Sequence, residues 1–378
     1  MKVAIVCDWL TNVGGAEKVL LEVHKLYPKA PIYTSKYAPK KIDWFSDADV
    51  RTGWLNIFPV FMRRFLAPFR QNWFKHLDLS EYDLIISVTG AEAKAVKSGR
   101  KLYEEGKHSK NPKGIHISYC HVPTQYYWQM YDSYLENPGF GVLNPVVRFF
   151  FKLMVRPLRK GDYRAAQIPD YYITISDYAK DLIKQYYDRE SIVVHPPVEV
   201  EDFMRQIDAG SKKDYYIITS RQVNWKRIDL AIKACIRLKR KLLVVGEGAE
   251  HNNLVKMSRG SRWVEFVPLQ GKRELADLLA GAKGYLFPSF EPFGIAPVEA
   301  LAAGCPVVAF GKGGACDYII DGKNGVLFSR QTVQSLCDAI KRFEEKEFSR
   351  KAIIRTAKKF SLARFDEEMK DFINEKIA

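Results

Sequence analysis

The stretch Gly284 to Gly313, GYLFPSFEPFGIAPVEALAAGCPVVAFGKG, restricts the fold more than any other part of this 378-residue chain. Tyr285 to Phe287 is a short apolar run, and it reads as a strand buried on both faces. A loop follows over Pro288 to Ile295. Pro297 stands where a helix begins, and Gly304 and Pro306 stand where it stops. Val307 to Phe310 reads as the next strand. Strand, loop, short helix and strand make one crossover unit of a parallel sheet, so the loop and the helix N-terminus lie at the sheet's carboxyl edge. Open α/β sheets bind ligands at that edge. Glu291 in the loop and Glu299, expected in the helix's first turn, lie eight residues apart across this corner. Gly294 between them lets backbone approach a ligand closely. An acid at a helix N-terminus also offsets the macrodipole. That suits Glu299 but not Glu291, which stands in an otherwise apolar loop.

The same alternation runs through the chain and predicts an α/β fold of two doubly wound, Rossmann-like domains. Lys2 to Cys7 is an apolar strand, Asp8 to Val13 a loop, and Gly14-Gly15 opens a helix to about Tyr27. Glycine amides at a helix N-terminus favour phosphate, although this is not a GxGxxG dinucleotide fingerprint. Further strands are expected at Ile32–Thr34, Leu84–Val88, Ile115–Cys120, Tyr171–Ile175 and Ile192–Val194. The polar segment Lys97 to Gly114 reads as a flexible loop. His195-Pro196-Pro197 reads as a linker, since two prolines stiffen the chain and stop the preceding strand. After it the alternation restarts: strand Tyr216–Thr219, helix from about Arg227 to Leu238, strands Leu242–Val245 and Val264–Val267, helix Glu274–Ala280. Domains are therefore expected over 1–195 and 196–360. Over 361–378, Phe365, Met369, Phe372, Ile373 and Ile377 at helical spacing mark an amphipathic helix, able to cross back to the first domain.

Composition narrows the class. Six scattered cysteines with no ligand spacing read as reduced thiols of a cytoplasmic protein. No apolar run is long enough to cross a membrane, and a strand-like N-terminus carrying Asp8 argues against a cleavable signal peptide. No His/Cys/carboxylate cluster has metal-site spacing. The net charge of +15 points to phosphate-bearing partners. Arg51 to Leu77 contains five Arg or Lys and no acid, interleaved with Trp54, Phe58, Phe61, Phe65, Phe69, Trp73 and Phe74. Asn137 to Gly161 repeats the pattern, with Phe149, Phe150 and Phe151 among Arg148, Lys152, Arg156, Arg159 and Lys160. These stretches fit an anionic membrane surface, or else an aromatic core with a solvated basic rim. No nucleic-acid-binding motif accompanies the charge.

Several residues carry chemistry by type and place. In SRQVNWKR, Arg221 and Lys226 come just past a strand, and two cations there can clamp a diphosphate and favour it as a leaving group. Gly246-Glu247-Gly248 follows the next strand, and its small residues suit a nucleotide base lying against backbone. His121 directly follows a strand in YCHVPTQYYW and projects at the sheet's carboxyl edge, where both a structural and a ligand-facing role are open.

Taken in order, the glycine turn, His121, Arg221 and Lys226, then Glu291 and Glu299, with FEPFGIAPVEALAAGCPVVA as the centre, resemble the family 4 retaining glycosyltransferases of the GT-B fold. The acidic signature is E-x7-E with Phe-Gly at its third and fourth positions. CHVPTQYYW, ISDYAKDLI, VVHPPVE and GKGGACDYIIDGKNGVLF look closest to bacterial mannosyltransferases of O-antigen and related polysaccharide assembly. The resemblance implies a GT-B pair of domains facing across a cleft. It implies that Arg221 and Lys226 hold the donor diphosphate and that Glu299 binds the ribose hydroxyls. Glu291 would lie near the donor sugar, with the backbone amides of Phe293, Gly294 and Ile295 contacting sugar and phosphate. Gly14 and Gly15 would approach the diphosphate, Gly246 the base, and His121 the sugar's hydroxymethyl. The implied reaction retains configuration, needs no metal or resident cofactor, and moves a hexose, mannose from GDP-mannose, to a lipid-linked or polysaccharide acceptor at the inner face of the plasma membrane. The chain departs from the pattern near Gln125, neutral where relatives carry an arginine, and at Pro292, where the closest carry an acid. Alternatives of other classes are a non-catalytic, membrane-docked nucleotide-sugar-binding protein and a UDP-sugar epimerase, though no separate acid/base carboxylates are evident for the latter.

Overall fold

Strands that read as continuous apolar runs are buried on both faces, and each therefore needs helices above and below it. The computed structural model, which describes residues 1–60, 62, 66–136, 141, 144–204 and 213–377, resolves this demand twice. The first unit contains residues 1–195 and 366–378, the second residues 196–365.

In the first unit seven strands, β1 (Val3–Cys7), β2 (Ile32–Thr34), β3 (Val50–Thr52), β4 (Leu84–Thr89), β5 (Ile115–Cys120), β6 (Tyr171–Thr174) and β7 (Ile192–Val193), form a parallel sheet. Its order is β3-β2-β1-β4-β5-β6-β7. Every residue of β1, β4 and β5 is buried. β3, Val-Arg-Thr, is short and half-exposed at the sheet edge, and no apolar pattern announces it. The segment expected to be a flexible loop, 97–114, instead contains the helix Gly99–Glu104, and Lys97 and Ser98 are buried. Ser98 caps that helix by accepting from the Lys101 amide, and the Gly99 position lies so near the Asn111 carbonyl that a Cβ would come within 2.0 Å. Polar composition misled here because capping and close backbone contact, not an apolar face, hold the turn.

The second unit has six parallel strands, β8 (Tyr215–Thr219), β9 (Lys241–Val245), β10 (Val264–Val267), β11 (Gly284–Phe287), β12 (Val307–Phe310) and β13 (Gly325–Phe328), in the order β10-β9-β8-β11-β12-β13. Its core joins the helices Ile228–Leu238 and Val333–Glu344 to the sheet through Ile218, Ile232, Val244, Leu286, Val308, Leu336 and Ile340. Sheet order reverses between β8 and β11, so the loops after these two strands flank the switch point.

The helix Leu362–Ile377 begins in the second unit and ends in the first. Phe365, Met369, Phe372 and Ile373 are buried, and Phe372 meets Tyr171 of β6 edge to face. No disulfide joins the six cysteines, and five of them are buried.

Candidate active site

The loop after β8 is built to present cations. Asn224–Lys226 forms one turn of 3-10 helix, and Arg227 then adopts a left-handed backbone, φ 52°, which redirects the chain into the helix Ile228–Leu238. A non-glycine residue held there carries local strain, and the Arg227 guanidinium is fixed on Asp229 at 3.0 Å and 3.3 Å. The result places Lys226 Nζ 2.7 Å from Glu291 Oε1, the first carboxylate of the E-x7-E pair. Both side chains are about one-fifth exposed, at 21% and 18%. Ser289 Oγ donates to the same Glu291 oxygen at 2.8 Å. Arg221 lies exposed five residues before Lys226 in the same loop. The switch point thus brings Lys226 and Glu291, far apart in sequence, into direct contact.

The loop after β11 is held from below. Gly294 has φ +93°, and a Cβ there would lie 2.7 Å from Phe287 Cζ and 2.9 Å from the Tyr318 hydroxyl. The Tyr318 hydroxyl donates to the Phe293 carbonyl at 2.8 Å. The Gly314 amide donates to the Glu291 carbonyl at 3.0 Å, and Gly313 and Gly314 pack so closely on the loop that Cβ atoms would meet Glu291 O at 2.4 Å and Phe293 Cα at 2.3 Å. Gly313, Gly314 and Tyr318 were not singled out for the site from sequence. Their signal was present only as the GKGG turn, whose purpose depends on contacts with residues twenty or more positions away in the chain. The helix is Ile295–Ala302 with Gly294 at its N-cap, so it begins two residues before Pro297. Glu299 therefore sits in the second turn, half-buried, and not in the first. Phe293 is buried and Ile295 opens the helix, where amides lack intrahelical acceptors.

The remaining candidate residues of the second unit lie after β9. Gly246 has φ +115°, and a Cβ there would lie 2.5 Å from the Ser220 carbonyl. The loop therefore lies flat against the one carrying Arg221.

In the first unit, Gly14 and Gly15 stand at the start of the helix Gly15–Leu26, after β1. Gly14 is extended, and the Glu17 carboxylate occupies the place next to its α-carbon, 3.0 Å from where a Cβ would be. His121 follows β5, and its amide donates to the Thr89 carbonyl at 2.8 Å. Asp8, after β1, ties this edge together by accepting from Thr89 Oγ1 at 2.9 Å and from the amides of Gly90 and Ala93 at 2.9 Å and 2.8 Å. Burial holds the His121 pKa down to about 4, opposed by the Asp8 charge. At neutral pH the ring is a hydrogen-bonding group, not a cation.

His116 on β5, fully buried and bonded to Ser87 Oγ at 2.8 Å, is pushed down by burial to about 3. Both histidines bind protons more readily unfolded than folded, so their linkage leaves stability intact above the unfolded pKa of about 6.5 and removes it as pH falls towards 4. Each is expected to cost roughly 2 kcal/mol between pH 7 and pH 5. Urea denaturation at the two pH values checks this. A flat profile contradicts it, and His116→Gln should make the slope shallower.

Among the described residues no group of three His, Cys, Asp or Glu side chains is placed to hold a metal ion, and no described helix is long and apolar enough to cross a membrane. Of the basic aromatic stretches, Phe74 is fully buried, whereas Trp54, Phe69, Phe149 and Phe150 are exposed. Phe61, Phe65, Arg63 and Arg64, and 137–140, lie outside the described residues.

Residues 199–360 match the family model described as glycosyl transferases group 1. HepE from Anabaena, solved in complex with UDP, superimposes with a TM-score of 0.71 at 18% identity, covering 99% of this chain and 100% of that one. The chain has a GT-B fold, and its second unit is similar to the group 1 glycosyl transferases. The matched residues include the switch-point contact between Lys226 and Glu291. Among curated proteins, the uncharacterized glycosyltransferase YqgM of Bacillus subtilis is 25% identical over 183 residues, which are 46% of this chain and 51% of YqgM. The chain thus spans about half the length of that relative. The alpha-1,3/1,6-mannosyltransferase ALG2 of Mus musculus is 24% identical over 285 residues, 68% of this chain and 67% of ALG2.

Proposed function

We propose that the protein is a retaining, nucleotide-sugar-dependent hexosyltransferase of family 4, moving mannose from GDP-mannose to a lipid-linked or polysaccharide acceptor without a metal or resident cofactor. The observation that carries this reading is the Lys226–Glu291 contact at the switch point, with Arg221 exposed in the same loop. A cation and a carboxylate already paired at a ligand-binding edge can exchange that partner for a substrate. Lys226 and Arg221 take the diphosphate, and Glu291 is released towards the sugar hydroxyls. Glu299, about one helical turn past Ile295, takes the ribose. The amides of Phe293, Gly294 and Ile295 lie between, at a helix N-terminus that favours negative charge. As the anomeric C–O bond breaks, charge develops on the β-phosphate beside two cations. That preorganised stabilisation is the main source of rate, and the departing phosphate oxygen takes the acceptor's proton. In the first unit, His121, neutral at pH 7, offers a hydrogen bond suited to a sugar hydroxyl, and the helix N-terminus at Gly14 and Gly15 favours an anion.

Mannose is supported by the likeness to mouse ALG2, a mannosyltransferase by name. A uridine donor is the second reading, supported by the UDP in HepE. Incubating the protein with GDP-mannose and bacterial membranes, and measuring released GDP against UDP-sugar and ADP-sugar controls, tests both. No nucleotide release from any sugar donor by folded protein overturns the transferase reading.

The acceptor reading places the enzyme on the inner face of the plasma membrane. The helix Asn144–Ala166 exposes Phe149, Phe150, Leu153 and Met154 beside exposed Arg148, Lys152, Arg156 and Lys160, while Val155, Asp162 and Ala165 are buried. Such a face suits anionic lipid. Cosedimentation with vesicles containing phosphatidylglycerol is expected at low salt, weakening several-fold at about 0.5 M salt. No binding at low salt to anionic vesicles contradicts it.

A further inference from the structure

Gln222 is buried completely, between the two cations of the β8 loop, in a place where sequence reading assigned nothing. Each of its four polar atoms has a partner, and all four partners lie in one segment, 246–251, after β9. Its amide donates to the Glu247 carbonyl at 2.8 Å, and its carbonyl accepts from the Glu250 amide at 3.0 Å. Its side-chain Nε2 donates to the Gly246 carbonyl at 2.5 Å, and its Oε1 lies 2.8 Å from His251 Nδ1. A carbonyl can only accept, so the side-chain nitrogen must face Gly246 and the oxygen must face His251. His251 Nδ1 therefore carries a hydrogen, and the ring is held in one tautomer. The same ring packs edge-on against Phe266 of β10, with centroids 5.4 Å apart. Gly248 lies so close that a Cβ would stand 2.3 Å from the Gln222 carbonyl. Four bonds from one buried residue, with a glycine pressed against its backbone, hold the two loops in one register.

We propose that Gln222 is a positioning residue for nucleoside recognition: it registers the Gly246–His251 loop to the Arg221–Lys226 phosphate clamp, and so sets which base the donor site accepts. The inference rests on the donor-site reading above. A diphosphate held by Arg221 and Lys226 puts the base at a fixed reach from them. Discrimination between bases then depends on how rigidly the receiving backbone is held at that reach. Gln222 supplies that rigidity without touching the nucleotide itself. Loss of its two side-chain bonds leaves the buried Gly246 carbonyl and the half-buried His251 Nδ1 without these partners, so the loop relaxes towards solvent.

Calorimetric titration of GDP, UDP and ADP into wild type, Gln222→Met and Gln222→Glu tests this, alongside initial rates with the preferred sugar nucleotide. Met keeps the volume and loses both side-chain bonds. Glu keeps an acceptor for His251 and loses only the bond to Gly246. The ratio of affinities between the preferred base and the next is expected to fall about tenfold in Gln222→Met and by less in Gln222→Glu. KM for the donor should rise while kcat at saturation changes by no more than about twofold, because the clamp itself is intact. Lys226→Ala should instead weaken all three nucleotides alike. If Gln222→Met does not fold, Gln222→Glu and His251→Ala, each removing a single bond, carry the comparison. Folded variants that keep the wild-type ratio overturn the role of Gln222. Wild type that binds none of the three overturns the donor reading itself, and this inference with it.

Discussion

Lys226→Ala is expected to lower kcat by about 10²–10³-fold, the range seen when one group stabilising developing charge is removed. The fold should be retained. Among the described residues the lysine's one short ionic contact is with Glu291; both side chains are about one-fifth exposed, and such a partly solvated pair contributes on the order of 1 kcal/mol. That corresponds to a melting shift of no more than about 2–4 °C for a domain of this size. Glu291 keeps its bond from Ser289 Oγ and so is not left bare. Lys226→Arg separates charge from geometry. It restores the cation but replaces a point charge with a planar fork, so partial recovery of kcat is expected. Full turnover by the alanine variant in a sugar-nucleotide assay removes the clamp assignment.

Gly294→Ala should damage both stability and turnover. Its φ of +93° is costly for any residue with a Cβ, and the added carbon meets Phe287 Cζ at 2.7 Å and the Tyr318 hydroxyl at 2.9 Å. Strain and overpacking together are expected to cost about 2–4 kcal/mol in urea denaturation. Neither neighbour can step aside freely, because Phe287 is buried in β11 and Tyr318 is fully buried and bonded to the Phe293 carbonyl. The loop must therefore move, and the amides of 293–295 move with it. A displacement near 1 Å at a reacting centre costs about 10²-fold in rate. Gly106→Ala is the control. It has φ +69° with nothing within 4 Å of the new carbon, so it should show the backbone cost alone, roughly 1–2 kcal/mol, with normal turnover. If Gly294→Ala matches the control in both measurements, the tight cradle beneath the loop is not what shapes the site.

The two variants mark where sequence sufficed. Runs rich in apolar residues such as Leu84–Thr89 and Ile115–Cys120 announced central strands because burial on both faces favours that composition, and the buried polar exceptions His116 and Ser87 satisfy each other. The E-x7-E spacing and the two cations were visible because chemistry fixes residue type. What stayed hidden depends on neighbours distant in the chain. Edge strand β3 is three residues with one inward side chain. The helix Gly99–Glu104 is made by a serine cap and a backbone contact to Asn111. Glu299 was placed one turn early because proline marks the first turn of a helix, not its first residue. Gln222 and Tyr318 are ordinary polar residues until the fold shows what they brace.

The last helix has a consequence for the order of the chain. Residues 366–378 complete the first unit, so the second is an insertion with both of its ends attached to the first. The two connecting strands run side by side, with Val198 bridged to Ser361 and its amide donating to the Phe360 carbonyl at 2.9 Å. A single cut at either crossing does not yield two clean halves. Cleavage before Pro196 leaves Phe372 of the C-terminal fragment packed against Tyr171 of the N-terminal one, a noncovalent splint across the break. Shortening the chain from its C-terminus, by contrast, strips the unit that begins at Met1, so the final dozen residues guard the first ones.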